Sequence, residues 1–96
     1  MIYLVIYDIS DDSLRLKVSK FLKSKGLRRV QWSAFVGDLT TSQLRDVESG
    51  LTLIMKGKMK EGERRNVQIY PLTERQFQQR IVIGVLDERG EENVLM

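Results

Sequence analysis

The chain has neither cysteine nor histidine among its 96 residues. Without cysteine there can be no disulfide and no thiolate metal site. Without histidine there is no imidazole to act as general base, to partner a nucleophile or to ligate zinc. Any catalysis must therefore run on carboxylates, hydroxyls, cations and a hard metal. No apolar run approaches the roughly 20 residues of a membrane span, and no basic region precedes the apolar residues 2–9 as a signal peptide requires. The expectation is a cytoplasmic protein with no membrane partner. The one proline, Pro71, falls near the end of an extended run, where a missing donor is tolerable.

A chain of 96 residues makes a single domain, too small for a large core or a deep pocket of its own, so a shared core or shared site is expected. The formal charge is only +3 and the pI about 9.4, but the charge is unevenly spread. Residues 1–86 hold 15 Lys and Arg against 9 Asp and Glu, whereas residues 87–96 hold one Arg and four acids. The reading is a basic domain over 1–86, suited to a polyanionic partner, with an acidic C-terminal tail over 87–96.

Residues 2–9 form a strand whose Ile2, Leu4 and Ile6 share one parity, and Asp8 closes that otherwise apolar row. A carboxylate there must be hydrated, hydrogen-bonded, paired or bound to a metal, because leaving it dry and alone costs several kcal/mol. Leu14, Val18, Phe21 and Leu22 then recur at helical spacing behind Ser10 or Asp11 as a cap, and Gly26 stops the helix. Residues 27–36 are extended, as one long strand or two short ones hinged near Gln31 and Trp32. Thr40, Thr41 or Ser42 caps a second helix with a Leu44, Val47, Leu51 and Ile54 stripe, in which Gly50 reads as a local weakness. A loop over 56–65 leads to strands at 67–72 and 80–86, joined by a polar connection at 73–79.

This order predicts an α+β, ferredoxin-like βαββαβ domain with an additional C-terminal strand. Two helices cover only one face of such a sheet, yet strands 2–9 and 80–86 are apolar on both parities. A sheet-to-sheet homodimer is the economical cover, with strand 80–86 free to pair across it.

Three blocks resemble the second core CRISPR-associated adaptation protein, the Cas-two family. They are Leu4-Val5-Ile6-Tyr7-Asp8-Ile9-Ser10-Asp11-Asp12, Gly26-Leu27-Arg28-Arg29-Val30-Gln31-Trp32-Ser33-Ala34-Phe35-Val36-Gly37 and Val67-Gln68-Ile69-Tyr70-Pro71-Leu72. The resemblance covers residues 1–86 and leaves out the tail. It implies a ferredoxin-like dimer whose Asp8 carboxylates face one another across the interface. It further implies metal-dependent endonuclease activity on single-stranded RNA or duplex DNA, and a bridging role between Cas-one integrase dimers during spacer capture in antiviral defence.

Two carboxylates related by a two-fold axis can share an octahedral Mg2+ or Mn2+ that keeps several waters. Asp8 is therefore the candidate catalytic and metal-binding residue. Asp11 and Asp12 read as helix-start acids that complement the helix dipole. For nucleic acid, Arg15 and Lys17 stand among the cations spread over the first helix, and Arg28 and Arg29 beside Gly26 could hold phosphate together. Lys56, Lys58, Lys60, Arg64 and Arg65 offer phosphate contacts in a mobile loop. Ser10 and Ser33 are auxiliary candidates, Ser33 to orient a water or phosphate. Phe35 and Trp32 read as core or interface groups rather than base-stacking platforms. The alternative reading is a non-catalytic adaptor whose dimer binds duplex DNA and docks integrase subunits, with Asp8 dispensable.

Overall fold

The computed structural model describes residues 1–86. Its elements are β1 (Ile2–Ile9), α1 (Asp12–Ser24), β2 (Arg28–Gln31), β3 (Ala34–Asp38), α2 (Thr41–Met55), β4 (Arg65–Leu72) and a short α3 (Glu74–Gln78). The strands form one antiparallel sheet in the order β2-β3-β1-β4, so β1 sits centrally and receives ladders from both β3 and β4. This is the expected ferredoxin-like arrangement.

Both long helices start where side chains satisfy the free N–H groups. Asp11 caps α1 by accepting from Ser13 N, and Thr40 caps α2 in a reciprocal capping box with Gln43. Helix α1 ends in a Schellman arrangement. Gly26 adopts φ +88°, and Leu27 N reaches back to Leu22 O at 3.1 Å. The apolar stripes then meet one face of the sheet. Leu14, Val18 and Leu22 of α1, Val47 and Leu51 of α2, and Val5, Tyr7, Ile9 and Phe35 of the strands build one buried cluster.

Gly50 is not a weakness but a contact point. A Cβ built there would lie 2.1 Å from the Phe21 ring, so the glycine lets Phe21 of α1 lie against the α2 backbone. Helix propensity alone favours Gly50→Ala by about 1 kcal/mol. Displacing Phe21 costs about 1–3 kcal/mol. The substitution is therefore expected to destabilise by about 1 kcal/mol net, read as a lower urea midpoint with an unchanged m-value.

Residues 27–36 are two strands. Gln31 pairs with Ala34 across a Trp32-Ser33 turn, and the register shifts between Arg29 and Gln31. Among the described residues, positive φ occurs only at glycines, so this turn needs no Gly or Asn and leaves no such mark in the sequence.

The expected strand over 80–86 does not form within the chain. Thr73 caps α3 through a second capping box with Gln76, and residues 80–86 follow it without a ladder partner. Ile81, Ile83 and Val85 are almost fully exposed there, at 87, 94 and 99 %. A strand exists only against another strand, and residues 80–86 pair with none of the described strands, leaving β4 as an open edge of the sheet. The acidic tail over 87–96 lies outside the described residues. No described helix is long and apolar enough to cross a membrane.

Candidate metal and nucleic-acid site

Strand alternation splits the end of β1 between two faces of the sheet. Val5, Tyr7 and Ile9 turn toward the helices and are buried. Ile6 and Asp8 turn to the face without helices, where Ile6 and Tyr70 remain substantially exposed. Tyr7 and Asp8 are thus neighbours in sequence that serve opposite sides of the sheet.

On the helix-free side, the Asp8 carboxylate is held by Arg64, whose Nε donates to both oxygens at 3.2 Å. The two side chains keep 55 and 65 % of their surface exposed, Asp8 and Arg64 respectively, so solvent screens the pair and its strength is that of a surface ion pair. Their juxtaposition follows from the ladder. Asp8 pairs with Asn66 and Ile9 with Arg65, which leaves Arg64 just beyond the last rung. Ser10 closes that end: its N–H donates to Arg64 O at 3.0 Å, and its Oγ accepts from Arg64 N at 3.0 Å. Ser10 is therefore engaged in closing the β1–β4 end.

Arg64 and Arg65, expected in a mobile loop, are instead committed to the fold. Arg65 lies in β4, donates to Glu63 Oε2 from Nη2 at 2.6 Å and to Met55 O from Nη1 at 3.0 Å. The Lys60 N–H hydrogen bond and then the Arg65 guanidinium hold the Glu63 carboxyl below its ordinary range.

The donor set around Asp8 tests the fit of a hard cation. Among the described residues no group of three or more His, Cys, Asp or Glu gathers anywhere. The carboxylate at the end of β1 is that of Asp8. Mg2+ is commonly bound through one or two carboxylates with its remaining positions filled by water or phosphate, so the exposed Asp8 carboxylate fits such an ion as a protein ligand.

On the helix side, Tyr7 and Phe35 stack with ring centroids 6.3 Å apart. The Arg29 guanidinium lies 5.2 Å from the Trp32 ring centroid and 5.1 Å from that of Phe35. Arg15 donates to Ile9 O at 3.2 Å and forms an ion pair with Asp12. Tyr7, Asp12, Arg15, Arg29 and Trp32, with Leu16, Ser19 and Lys23, line a cleft of about 250 Å³ between α1 and the β2–β3 turn. Burial pushes the Tyr7 phenol above its ordinary value, while the Arg29 charge and hydrogen bond oppose the shift.

The structure divides the expected cations. Arg15 and Arg29 meet at the cleft, but Arg28 pairs opposite Val36 whereas Arg29 pairs opposite Phe35. Adjacent residues of a strand face opposite ways, so Arg28 and Arg29 do not form one phosphate clamp. Lys17 is exposed on α1 and lies outside the cleft lining. Ser33 sits in the turn, where its carbonyl accepts from Tyr7 N at 3.0 Å. Phe35 is core at 0 % exposure, but Trp32 is not, with 38 % of its surface exposed beside Arg29. Sequence reasoning missed Tyr7 as a site neighbour, and it named Arg64 only as a phosphate contact of the 56–65 loop and Trp32 only as a core or interface group. The parity of Tyr7 within β1 was the available signal, whereas the turn that carries Trp32 is unmarked and Arg64 reaches Asp8 across 56 positions.

A family model described as CRISPR associated protein Cas2 matches residues 1–80. A CRISPR-associated endoribonuclease Cas2 of Korarchaeum cryptofilum is 38 % identical over 81 residues, covering 84 % of this chain and 82 % of its own. The similar endoribonuclease Cas2 1 of Archaeoglobus fulgidus is 38 % identical over 99 residues, covering 98 % of this chain and all of its own. The crystal structure of Streptococcus pyogenes Cas2 at pH 6.5 superposes with a TM-score of 0.70 at 25 % identity, covering 88 % of this chain and 100 % of that one. A Cas1/Cas2 endonuclease fusion of Thermoproteus tenax is 35 % identical over 57 residues, 59 % of this chain and 22 % of the fusion. With a family match over 80 of its residues, this shared sheet topology and these blocks around Asp8 and Arg29, the chain belongs to the CRISPR-associated Cas2 family.

Proposed function

We propose that this protein is a homodimeric, divalent-metal-dependent endonuclease of CRISPR adaptation in the cytoplasm, acting on phosphodiester bonds of nucleic acid. The observation that carries this reading is an exposed carboxylate, Asp8, ending the central strand on the face that no helix covers. Packing that face against a second copy covers Ile6 and Tyr70 and brings two Asp8 side chains to one two-fold axis. A Mg2+ or Mn2+ ion shared there would supply Lewis-acid neutralisation of the phosphodiester and a more acidic water. The chain's own residues do the rest. Asp8 holds the ion, Arg64 is the carboxylate's counter-ion before the ion arrives, and Arg15, Lys17, Arg28 and Arg29 supply positive surface for the nucleic-acid backbone. Ser10 fixes the end of β1, and with it the position of Asp8. Residues 1–86 form the folded domain, and the acidic tail over 87–96 orders on a partner.

Sedimentation and manganese titration test this directly. At micromolar concentration the protein is expected to sediment as a dimer and to hold one Mn2+ per two chains by electron paramagnetic resonance. Asp8→Asn should lose that ion while remaining folded. A well-folded monomer at that concentration removes the shared site.

Arg64→Gln is expected to act in the opposite sense. Mn2+ must displace Arg64 from Asp8, so deleting the guanidinium should tighten Mn2+ binding by up to about fivefold, the equivalent of an exposed ion pair of about 0.2–1 kcal/mol. Isothermal titration at low salt reads the change.

The Cas1/Cas2 endonuclease fusion among the relatives supports association with Cas1, which the second reading also requires: a non-catalytic adaptor that binds duplex DNA and bridges Cas1 integrase subunits. In that case Asp8→Asn leaves integration complexes intact.

A further inference from the structure

We propose that the cleft between α1 and the β2–β3 turn receives one unpaired nucleobase of a single strand, stacked against Trp32, with its flanking phosphate met by Arg15 and Lys23. This deepens the nucleic-acid reading above and rests on it, but it assigns a separate subsite. The cleft lies on the helix side of the sheet, the side to which Tyr7 turns, whereas Asp8 faces the other way.

The lining chemistry selects the ligand class. Trp32 offers exposed aromatic surface, with the largely buried Tyr7 ring behind it, while Arg15, Lys23 and Arg29 outnumber the one acid, Asp12. A ligand that is anionic at one end and flat and apolar at the other matches both features, and a nucleotide is such a ligand. Trp32 is the natural platform, since it projects from a turn with 38 % of its surface exposed. Arg29 stiffens it by lying 5.2 Å from its ring centroid while being backed by Phe35.

Size and geometry select an unpaired base. The cleft, at about 250 Å³, falls below the roughly 300–1,000 Å³ typical of drug-sized ligand pockets. It has room for one planar ring system with part of its backbone and not for a base pair. In a duplex the flat faces of the bases are hidden by stacking, whereas in a single strand they are available to an aromatic side chain. Duplex contact therefore falls to the exposed cations, and the cleft distinguishes strands with free bases.

The chain contains a single tryptophan, so intrinsic fluorescence reports this subsite and no other. The full-length protein would be titrated with a mixed-sequence single strand of about 12 nucleotides, an abasic strand of the same length and a blunt duplex. Hydrolysis is suppressed with chelator. The single strand is expected to quench Trp32 fluorescence strongly, and the other two only weakly. In anisotropy measurements with the same labelled single strand, Trp32→Ala should weaken binding by roughly 5- to 150-fold, the range for loss of one stacked base. Trp32→Phe should recover most of that loss, and Leu53→Ala, a change on the exposed surface of α2 outside the cleft, should leave the single-strand affinity within twofold of wild type. Equal quenching by the abasic strand or the duplex overturns the proposal, as does binding by Trp32→Ala within twofold of wild type. Failure of every nucleic acid to bind would overturn the functional reading itself, so the two failures are told apart.

Discussion

Asp8→Asn is expected to reduce metal-dependent phosphodiester hydrolysis by on the order of a thousandfold. The neutral amide keeps the size of the side chain but weakens its hold on a hard cation. Several kcal/mol of transition-state charge stabilisation go with such an ion, and each 1.4 kcal/mol is tenfold in rate. The change should not harm the fold, because Asp8 is more than half exposed and its partner Arg64 is more exposed still. Hydrolysis assays with saturating Mg2+ on highly purified protein check this, alongside thermal unfolding of the same samples. Persistent hydrolysis in the Asn variant would remove Asp8 from the catalytic role. Duplex binding, by contrast, should be unchanged or slightly tighter, because one negative charge has left the surface presented to phosphates.

Phe35→Ala is expected to have the largest effect on stability, about 3–5 kcal/mol, from lost transfer energy together with the cavity left behind. Phe35 has no exposed surface. It pairs with Val5 across the centre of the sheet, stacks on Tyr7 and backs the Arg29 guanidinium. Against a total stability of about 5–15 kcal/mol for a domain of this size, that loss leaves the variant marginal. Urea unfolding at fixed protein concentration measures it, with Leu53→Ala as a control. Leu53 is 66 % exposed on α2, and a surface change of that kind should stay within about 0.5 kcal/mol. Where the Phe35 variant remains folded, weaker nucleic-acid binding is also expected, since Arg29 loses its backing ring.

The local elements were legible because their signals are local. A period-two apolar row marked β1, helical spacing behind cap candidates at 10–11 and 40–42 marked α1 and α2, and Gly26 marked the end of α1. The resemblance in the three sequence blocks pointed to Asp8 before any contact was known. The absence of cysteine and histidine confined the candidate chemistry to oxygen ligands and cations, which composition alone decides. Some misses also had readable signals: Thr73 and Gln76 form the same capping-box spacing as Thr40 and Gln43, but α3 is five residues long, too short for a periodic stripe to announce it.

What only the tertiary structure decided depends on approach between distant segments. Gly50 looked like a defect in a helix until α1 set the Phe21 ring against it. Arg64 looked like a loop cation until the β4 register carried it to Asp8, 56 positions away in the chain. Arg28 and Arg29 looked like one clamp until pairing with Val36 and Phe35 sent them to opposite faces. Trp32 read as core or interface, and the β2–β3 turn keeps it out of the core, on the rim of a cleft. Spacing along a chain specifies which residues share a face of their own helix or strand. Which other segment that face meets is set by sheet register and helix packing, and neither is written at any single position of the sequence.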